Sequence, residues 1–514
     1  MLFNSYPFLL VFLPITVLGF FLIGSRSPRI ACLWLVVASA TFYAHWHFKS
    51  LLLLAISIGI NLLIGGRITM HLAKGEAGRA RARLYLVLGL SVNLLLLGYV
   101  KYAVFLLEQW NVIFSADLHI RQPRLPLGIS FFTFTQIIYL VDCFRRHVKD
   151  SDPVRYALFV TYFPHLIAGP LLHHGQVMPQ FQQRETFIFH NRNLELGLAI
   201  FGIGLFKKVV IADGLAPYAD AVFNASRAGT VLTFAEAWLG ALAYTMQLYF
   251  DFSGYSDMAI GLSTMFGIVI PANFLSPYKA RSIIEFWRRW HISLSQFLRD
   301  YLYIPLGGNR LGRVRRYINL MLTMLLGGLW HGAAWTFVLW GGIHGLYLLL
   351  NHWFRQWRPA KGADDPQSKV SSTLSWLLTF TAIVVAWVPF RSSTLASATS
   401  MLQSMAGLHI PFSSGSEAVL TSQVANQLAD WSTGLGWIGA AAFIALVLPN
   451  TMEFAVRFRP ALIDEALLKT YGWLGSRLTW RPTTGWAIAM GGILALSAMG
   501  IGLQGSSPFL YFQF

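Results

Sequence analysis

Charged residues are scarce in this chain, and acidic ones are the scarcest. Only 12% of its 514 residues are charged, 22 of them Asp or Glu, whereas 55% are hydrophobic and the mean hydropathy is +0.54. A soluble chain carries about a quarter charged residues, so this composition excludes a water-soluble globular protein. Cysteine is nearly absent as well: Cys32 and Cys143 stand alone, and their separation suggests no metal-binding or redox motif.

Long apolar runs recur along the chain instead. The stretches 7–23, 31–46 and 84–100 are each near the roughly 20 residues that a helix needs to cross the hydrocarbon core. Further candidate spans include 156–172, 235–250 and 256–272. We interpret the first run as a retained anchor, because it lacks a basic start and a small-residue cleavage site. The sequence therefore predicts an all-α polytopic membrane protein, with about 11–13 transmembrane helices plus re-entrant or interfacial helices.

The net charge of +17 comes from Lys and Arg concentrated in short loops. Such a charge could attract a polyanion such as nucleic acid, but positive charge in short loops also holds them on the cytoplasmic side. We favour topology and expect no nucleic-acid partner, with the basic loops inside and the N-terminus outside. The residues concerned are Arg26, Arg29, Arg67, Lys74, Arg79, Arg81, Arg83, Arg145, Arg146, Lys149 and the basic residues of 279–316.

A different pattern occupies residues 281–301. Apolar side chains recur there at steps of three and four, which predicts one continuous helix with a basic opposite face. Such a helix belongs in the interface plane of the membrane, and Glu285 and Arg289 are spaced for an ion pair. Its arginines would either meet lipid phosphates or attract an anionic, phosphate-bearing donor. The apolar face comprises Ile284, Trp287, His291, Leu294, Leu298 and Tyr301.

The stretch "GGLWHGAAW" places His331 at the end of an apolar run. A histidine there is commonly a satisfied core residue, and that interpretation stays open. Polar side chains at membrane depth, however, usually face a protein interior or a cavity, and the flanking glycines allow close approach of a backbone or a thin substrate. We expect Trp330 and Trp335 to supply rigid apolar walls. Burial would keep the ring neutral, which is the form that a general base requires.

Other histidines have weaker patterns. His344 could line the same cavity as His331 or could simply pack in the core. His165, His173 and His174 lie close together in sequence, but no carboxylate or cysteine stands at ligand spacing from them. We therefore expect no metal site.

Asp251 and Asp257 interrupt another apolar run, and carboxylates there demand partners. They could form an acid/base pair, but a spacing of six puts them on different helical faces. We expect Gly254 to break the helix between them, so that the two acids bind freed backbone groups or an arginine.

The motifs "FWRRWHISLSQFLRDYLYIPLGGNR" and "LTMLLGGLWHGAAWTFVLWGGIHG" resemble those of the membrane-bound O-acyltransferase family. "YFDFSGYSDMAIG" and "FPHLIAGP" match the same bacterial branch, on the side of alginate O-acetylation. The resemblance implies a ring of helices around a central tunnel, with His331 and His291 as the catalytic histidines, the second in a supporting role. Substrate-binding or tunnel-lining roles are expected for Trp287, Arg288, Arg289, Arg299, Asn309, Trp330, Trp335, His344, Asp251 and Asp257.

The resemblance also implies a function. An acetyl donor in the cytosol, acetyl-CoA or another, would act as a substrate and no cofactor would be bound. The group would reach a periplasmic acetyltransferase or esterase-like partner and then an exopolysaccharide, alginate-like or cellulose, beside its synthesis and export machinery in the bacterial inner membrane. The alternatives are a polysaccharide or lipid transporter without covalent chemistry, and an acyltransferase that acts on a lipid or a protein.

Three parts follow from this resemblance and from composition. Residues 1–120 are N-terminal transmembrane helices, 121–350 the catalytic core with an interfacial helix at 281–301, and 351–514 the C-terminal transmembrane helices. The last part contains a cytoplasmic linker, 355–369, and an external loop, 406–432.

Overall fold

Helices form almost all the regular structure in the computed structural model, which describes residues 1–121, 123–148, 152–357, 369–408, 431–464 and 478–510. Lys149 and most of the predicted linker and external loop lie outside the described residues. The α-helices of the described part are α1 Leu13–Gly24, α2 Pro28–Ala44, α3 Phe48–Leu72, α4 Glu76–Leu97, α5 Ala103–Phe114, α6 Ile129–Phe144, α7 Pro153–Thr161, α8 His174–Val177, α9 Asn191–Phe206, α10 Asp213–Arg227, α11 Phe234–Met265, α12 Ile283–Arg289, α13 Ile292–Leu298, α14 Gly312–His331, α15 Trp335–Trp357, α16 Lys369–Arg391, α17 Leu395–Met405, α18 Trp431–Leu446, α19 Thr451–Phe454 and α20 Thr484–Gln504.

Shorter elements connect these helices. Two-residue strands, β1 Ile270–Pro271 and β2 Ala461–Leu462, pair in parallel. The π-helical segments are Phe8–Phe12, Gly98–Tyr102, Lys207–Ala212 and Arg299–Tyr303, and the 3₁₀ turns are Gln180–Gln182, Arg184–Phe187, Pro277–Lys279 and Val456–Phe458.

Among the described residues, four stretches of helix are long and apolar enough to cross a membrane: α3, α4 continued by α5, α16 and α20. α1, α2, α6 and α18 are apolar but shorter. Large apolar side chains on these helices face outward, as at Leu63 and Leu95, each 72% exposed, which suits contact with lipid tails. The prediction of an all-α polytopic membrane protein is confirmed, whereas the number of crossings and the three-part division stay predictions.

Three predicted spans differ from the structure. The run 156–172 is helical only in α7, since the chain continues as buried turns beyond Thr161. The runs 235–250 and 256–272 do not form two helices, because α11 continues from the first run into the second and ends at Met265. Its start is fixed by a capping box, in which the Thr233 hydroxyl accepts the N–H of Glu236 and the Glu236 carboxylate accepts the N–H of Thr233.

α11 packs along α9 with glycine facing glycine. A Cβ added to Gly254 would lie 2.7 Å from the backbone oxygen of Gly204, and Gly261 meets Gly197 in the same way, at 2.6 Å. Small residues let two helix backbones approach closely in membrane proteins. The predicted break at Gly254 is therefore wrong: this glycine makes room for a neighbouring helix and leaves α11 continuous.

Gly254→Ala is expected to destabilise the protein by about 1–3 kcal/mol, because the new methyl group meets backbone that cannot rotate away. Thermal unfolding of the detergent-solubilised protein measures this. Gly66→Ala on α3 is the matched control, since a Cβ there meets nothing within 4 Å. Equal melting temperatures for the two variants would contradict the packing argument.

The predicted continuous helix at 281–301 is also wrong. α12 and α13 are separated at His291, which has a left-handed backbone with φ of +43°. The extended segment before the 3₁₀ turn at 277–279 takes up the backbone groups at this break: the N–H of Leu275 donates to the carbonyl of Arg289, and that of Ile292 donates to the carbonyl of Asn273. His291, Leu294 and Leu298 of the predicted apolar face are buried at 1%, 2% and 7% exposure, so this face packs inside the protein and does not lie on its surface.

Candidate active site

His331 is the last residue of α14, and contacts from a distant helix fix this end. The ammonium of Lys101 donates hydrogen bonds to the carbonyl oxygens of Trp330 (2.6 Å) and His331 (3.0 Å), and the Tyr102 hydroxyl donates to that of Leu329 (3.0 Å). A cation is favourable there because the last carbonyls of a helix lack partners and carry its negative dipole end. Lys101 and Tyr102 belong to the π-helical segment between α4 and α5, a rare element that is frequent at functional sites.

Aromatic rings surround the imidazole of His331, which is 6% exposed. Its ring centroid lies 4.8 Å from that of Trp330, 5.0 Å from Trp340 and 5.0 Å from Phe390, with all three pairs edge to face. These rings hold the imidazole in a mostly apolar environment.

Trp335 does not form a wall of this site, contrary to the prediction. Its side chain is half exposed and its indole N–H donates to the Gln109 side chain (2.9 Å), while its ring packs against Phe105. α15 begins at Trp335, so the helical turn carries Trp340, five residues on, to the side that faces His331. Gly328 and Gly341 let α14 and α15 approach closely.

A small cavity of about 150 Å³ opens onto His331. Lys101 and Trp330 also line it, with the start of α6 and the loop before it completing the wall. The cavity therefore lies at the C-terminal end of α14.

A large cavity of about 1170 Å³ lies beside the N-terminal half of the same helix. Within the described ranges of the chain, its basic lining groups are Arg288, Arg299, Arg316 and His352, against the single acid Asp464. Arg316 donates a hydrogen bond to His352 Nδ1 (2.7 Å). Of the predicted site residues, the structure places Trp287, Arg288, Arg299 and Asn309 on this cavity.

The predicted arginines differ in availability. Arg289 is buried, and its guanidinium pairs with Glu285 (2.9 Å) and donates to the Leu275 carbonyl (3.2 Å), so the predicted ion pair is confirmed. Because Arg289 is occupied in this way and does not line the large cavity, the structure places it in the scaffold. Arg299 is largely exposed and contacts Asp300; hydrogen bonding to that carboxylate raises the pKa of its guanidinium.

The imidazole of His291 lies next to the Trp330 ring, with 6.2 Å between the two ring centroids. The Asn273 side-chain oxygen accepts the backbone N–H of Ser293 (3.2 Å), which identifies it as the oxygen and requires His291 Nδ1, 3.1 Å away, to donate to it. The lone pair of His291 therefore resides on Nε2. This ring is oriented by the break between α12 and α13.

His344 occupies the region between the two cavities. Its ring centroid lies 4.8 Å from that of Trp340 and 5.1 Å from that of Trp287. Trp340 in turn contacts His331, and Trp287 lines the large cavity. A row of rings thus separates the large cavity from His331.

Asp251 and Asp257 bind lysines of the π-helical segment between α9 and α10, and not an arginine. Asp257 pairs with Lys207 (2.6 Å), and Lys208 bridges Asp251 (2.7 Å) and Asp213 (2.8 Å). We call these five residues the charge cluster. None of them lines either of the two cavities described, which favours the structural role that the sequence left open.

The charge cluster also binds residues that follow α20. The backbone N–H of Leu510 donates to Asp251 (3.0 Å), the Ser507 hydroxyl donates to Asp213 (2.7 Å), and the Pro508 carbonyl accepts from Lys208 (3.2 Å). The structure therefore joins the middle of the chain to residues 507–510.

Several residues of the site were missed from the sequence. Lys101 gave a usable signal, because a lysine inside a long apolar run requires a partner at membrane depth. Arg316 and His352 gave none, since only folding brings α14 and α15 together along their length. Trp340 and Phe390 are ordinary core residues in sequence, and their contact with His331 depends on helix packing.

Comparison with known proteins adds to this geometry. The profile of the MBOAT, or membrane-bound O-acyltransferase, family matches residues 129–388. This range contains α6 to α15 and most of α16, and it includes both His291 and His331 but not Lys101.

The chain is also similar to individual proteins over long stretches. It is 40% identical to a probable alginate O-acetylase of Azotobacter vinelandii, with all of both chains covered. It is 44% identical to a peptidoglycan O-acetyltransferase of Helicobacter pylori over 80% of each chain. A teichoic acid D-alanyltransferase of Bacillus subtilis is 28% identical over 49% of this chain and 65% of its own.

Proposed function

Because the chain belongs to the membrane-bound O-acyltransferase family, we propose that it transfers an acetyl group from a cytosolic donor to an exopolysaccharide, with His331 as general base. The protein is an acyltransferase. The observation that carries the residue assignment is the position of His331, held at the end of α14 by Lys101 and open to the small cavity.

The chemistry follows from this position. An acceptor hydroxyl attacks the acetyl carbonyl carbon while its proton passes to a ring nitrogen of His331. The bond from the carbonyl carbon to the leaving sulfur then breaks, and the thiolate takes that proton, which returns the ring to its neutral form. An ammonium group has three N–H donors, and Lys101 uses two of them on carbonyl oxygens. The third N–H and the positive charge can stabilise the negative oxygen that develops on the acetyl group during attack.

The acetyl donor binds in the large cavity. Its three arginines suit phosphate groups, which guanidinium binds with paired hydrogen bonds. With a rise of 1.5 Å per residue, His331 lies about 22 Å along α14 from Arg316. An elongated thioester such as acetyl-CoA, with phosphates at one end and the acetyl group at the other, suits this separation. It acts as a substrate, and no bound cofactor is proposed.

The size of the small cavity favours a short acyl group. An apolar cavity of about 150 Å³ holds one benzene molecule, and the cavity at His331 has about that volume. An acetyl group and the carbon that bears the acceptor hydroxyl fit this space, whereas a long acyl chain does not.

The two cavities lie at opposite ends of α14, and positive charge surrounds the large one. Because basic loops stay in the cytoplasm, the large cavity would face the cytosol and the small one the periplasm, across the bacterial inner membrane. Relatives named for alginate and peptidoglycan acetylation support a polysaccharide acceptor, alginate-like or cellulose. A periplasmic acetyltransferase or esterase-like partner and the synthesis and export machinery would act beside it.

A deletion strain tests this function. We expect the cell-surface polysaccharide of that strain to lose its acetyl esters while polymer is still made, as measured by mass spectrometry, and expect the wild-type gene to restore them. Unchanged acetyl content would contradict a polysaccharide acceptor. Loss of acyl groups from a lipid or protein instead would identify a different acceptor, and loss of polymer export alone would favour the transporter alternative.

A further inference from the structure

The two cavities share no lining residue, although the proposed reaction requires a donor to reach His331 from the large one. The large cavity extends along α14 as far as Met324. His331 lies seven residues further, or about 10 Å along the helix axis. Trp287, His344 and Trp340 fill this interval, each ring in contact with the next. A donor that approaches His331 along this line meets these three side chains in turn.

These three side chains share one property. Four of their nitrogen atoms are buried and lack a hydrogen-bond partner among the described residues: Trp287 Nε1, Trp340 Nε1, and both ring nitrogens of His344. His344 is fully buried at 0% exposure. Native proteins leave few buried polar atoms unpaired, and each one calls for an explanation such as a ligand or a water molecule.

Leaving such groups unpaired is costly. A buried donor or acceptor without a partner costs about 1–3 kcal/mol, and a neutral imidazole has one of each. The surroundings of His344 are aromatic, with Phe286 stacked at 6.1 Å and Trp387 at 6.2 Å. Packing alone would be satisfied by phenylalanine at this position, so the two nitrogens need another reason.

We propose that His344 is a positioning residue for the arm of the donor, with Trp287 and Trp340 beside it on the same path. This inference rests on the proposed function, because it concerns the same donor. The ligand chemistry is a thin chain with amide groups next to the thioester, as in the pantetheine arm of coenzyme A. Amide carbonyls accept the N–H groups of the histidine and the two tryptophans, and an amide N–H donates to the other imidazole nitrogen.

The arm must displace Trp287 to reach His344, since Trp287 forms the wall of the large cavity. The row of rings is therefore closed without a donor and opens around one. The phosphate-bearing head of the donor binds the arginines of the large cavity, and its arm binds the row of rings. The contributions of head and arm to the affinity can therefore be measured separately.

The test uses the full chain in detergent and measures dissociation constants by calorimetry for three probes. Coenzyme A has head and arm, 3′,5′-ADP has the head alone, and pantetheine has the arm alone. His344→Phe is expected to raise Kd about tenfold for coenzyme A and pantetheine, the value of one lost hydrogen bond to a buried group, and to leave Kd for 3′,5′-ADP unchanged. Arg288→Gln is expected to show the reverse, with Kd raised for coenzyme A and 3′,5′-ADP only.

Two further measurements keep the outcomes distinct. His344→Gln retains a donor and an acceptor and should recover much of the lost affinity, and His344→Phe should melt at or above the wild-type temperature without ligand. If His344→Phe binds all three probes as the wild type does, the role of His344 is overturned and the proposed function stands. If the wild type binds neither coenzyme A nor pantetheine, both the inference and the proposed donor are overturned.

Discussion

Replacing His331 with glutamine is expected to lower acetyl transfer by about 10²–10⁴-fold, the contribution of a positioned general base. Glutamine keeps a polar side chain of similar reach but cannot take up a proton from the acceptor hydroxyl. The protein should still fold, because Lys101 binds the backbone carbonyl of His331 and not its ring. Acetyl esters on the surface polysaccharide of a complemented deletion strain, normalised to membrane-inserted protein, measure the effect.

A matched histidine separates the loss of chemistry from the loss of structure. His71 is 7% exposed, close to His331 in burial, but it stacks on Tyr85 and lines neither cavity. We expect His71→Gln to retain acetylation. If His331→Gln also retained it while correctly inserted, the assignment of His331 as general base would be refuted and the family membership would stand.

The second large effect is expected in the charge cluster. Lys208→Ala removes the cation between Asp251 and Asp213 and leaves two neighbouring carboxylates in the protein interior. Breaking a buried ion pair by removing one partner costs about 3–5 kcal/mol, and the side chains of Lys208 and Asp251 are each 2% exposed. We therefore expect a large fall in melting temperature and a low yield of folded protein.

Two comparisons make this prediction specific. Arg79→Ala removes an ion pair with Glu76 in which both side chains are largely exposed, so its cost should be within about 1 kcal/mol. Lys208→Met combined with Asp251→Asn removes both charges of one pair and should recover part of the stability. Wild-type melting behaviour in Lys208→Ala would show that the buried pair contributes nothing.

The sequence predicted the membrane class, the family and the central histidine, because hydropathy and short motifs are local properties. Of the three rings described around that histidine, it predicted Trp330, the neighbour in sequence, but not Trp340 and Phe390. Trp335 and Trp340 are the same residue type and both follow His331 closely in sequence. The residue at which α15 begins determines which of them faces His331. The break at His291 was hidden for a related reason. Apolar side chains recur at steps of three and four on both sides of it, and the backbone groups that end α12 find their partners in a segment near Asn273, which lies outside this pattern in sequence.

The charged residues illustrate the same limit. An acid in an apolar run predicts a partner, but it does not predict which residue provides it. Lys207 and Lys208 lie on a π-helical turn, and a helical pattern read from sequence has no means of showing where such a turn occurs. Glycine at 254 was equally ambiguous, since close helix packing and a helix break favour the same residue type.

The contact between Asp251 and Leu510 spans 259 residues of chain. Translation proceeds at about 5–20 residues per second, so the ribosome needs roughly 13 to 50 seconds to travel from one partner to the other. During that interval the newly inserted helices hold an incompletely satisfied carboxylate inside the bilayer. The hydrogen bonds from residues 507–510 to the charge cluster can therefore form only well after its lysines and acids have entered the bilayer.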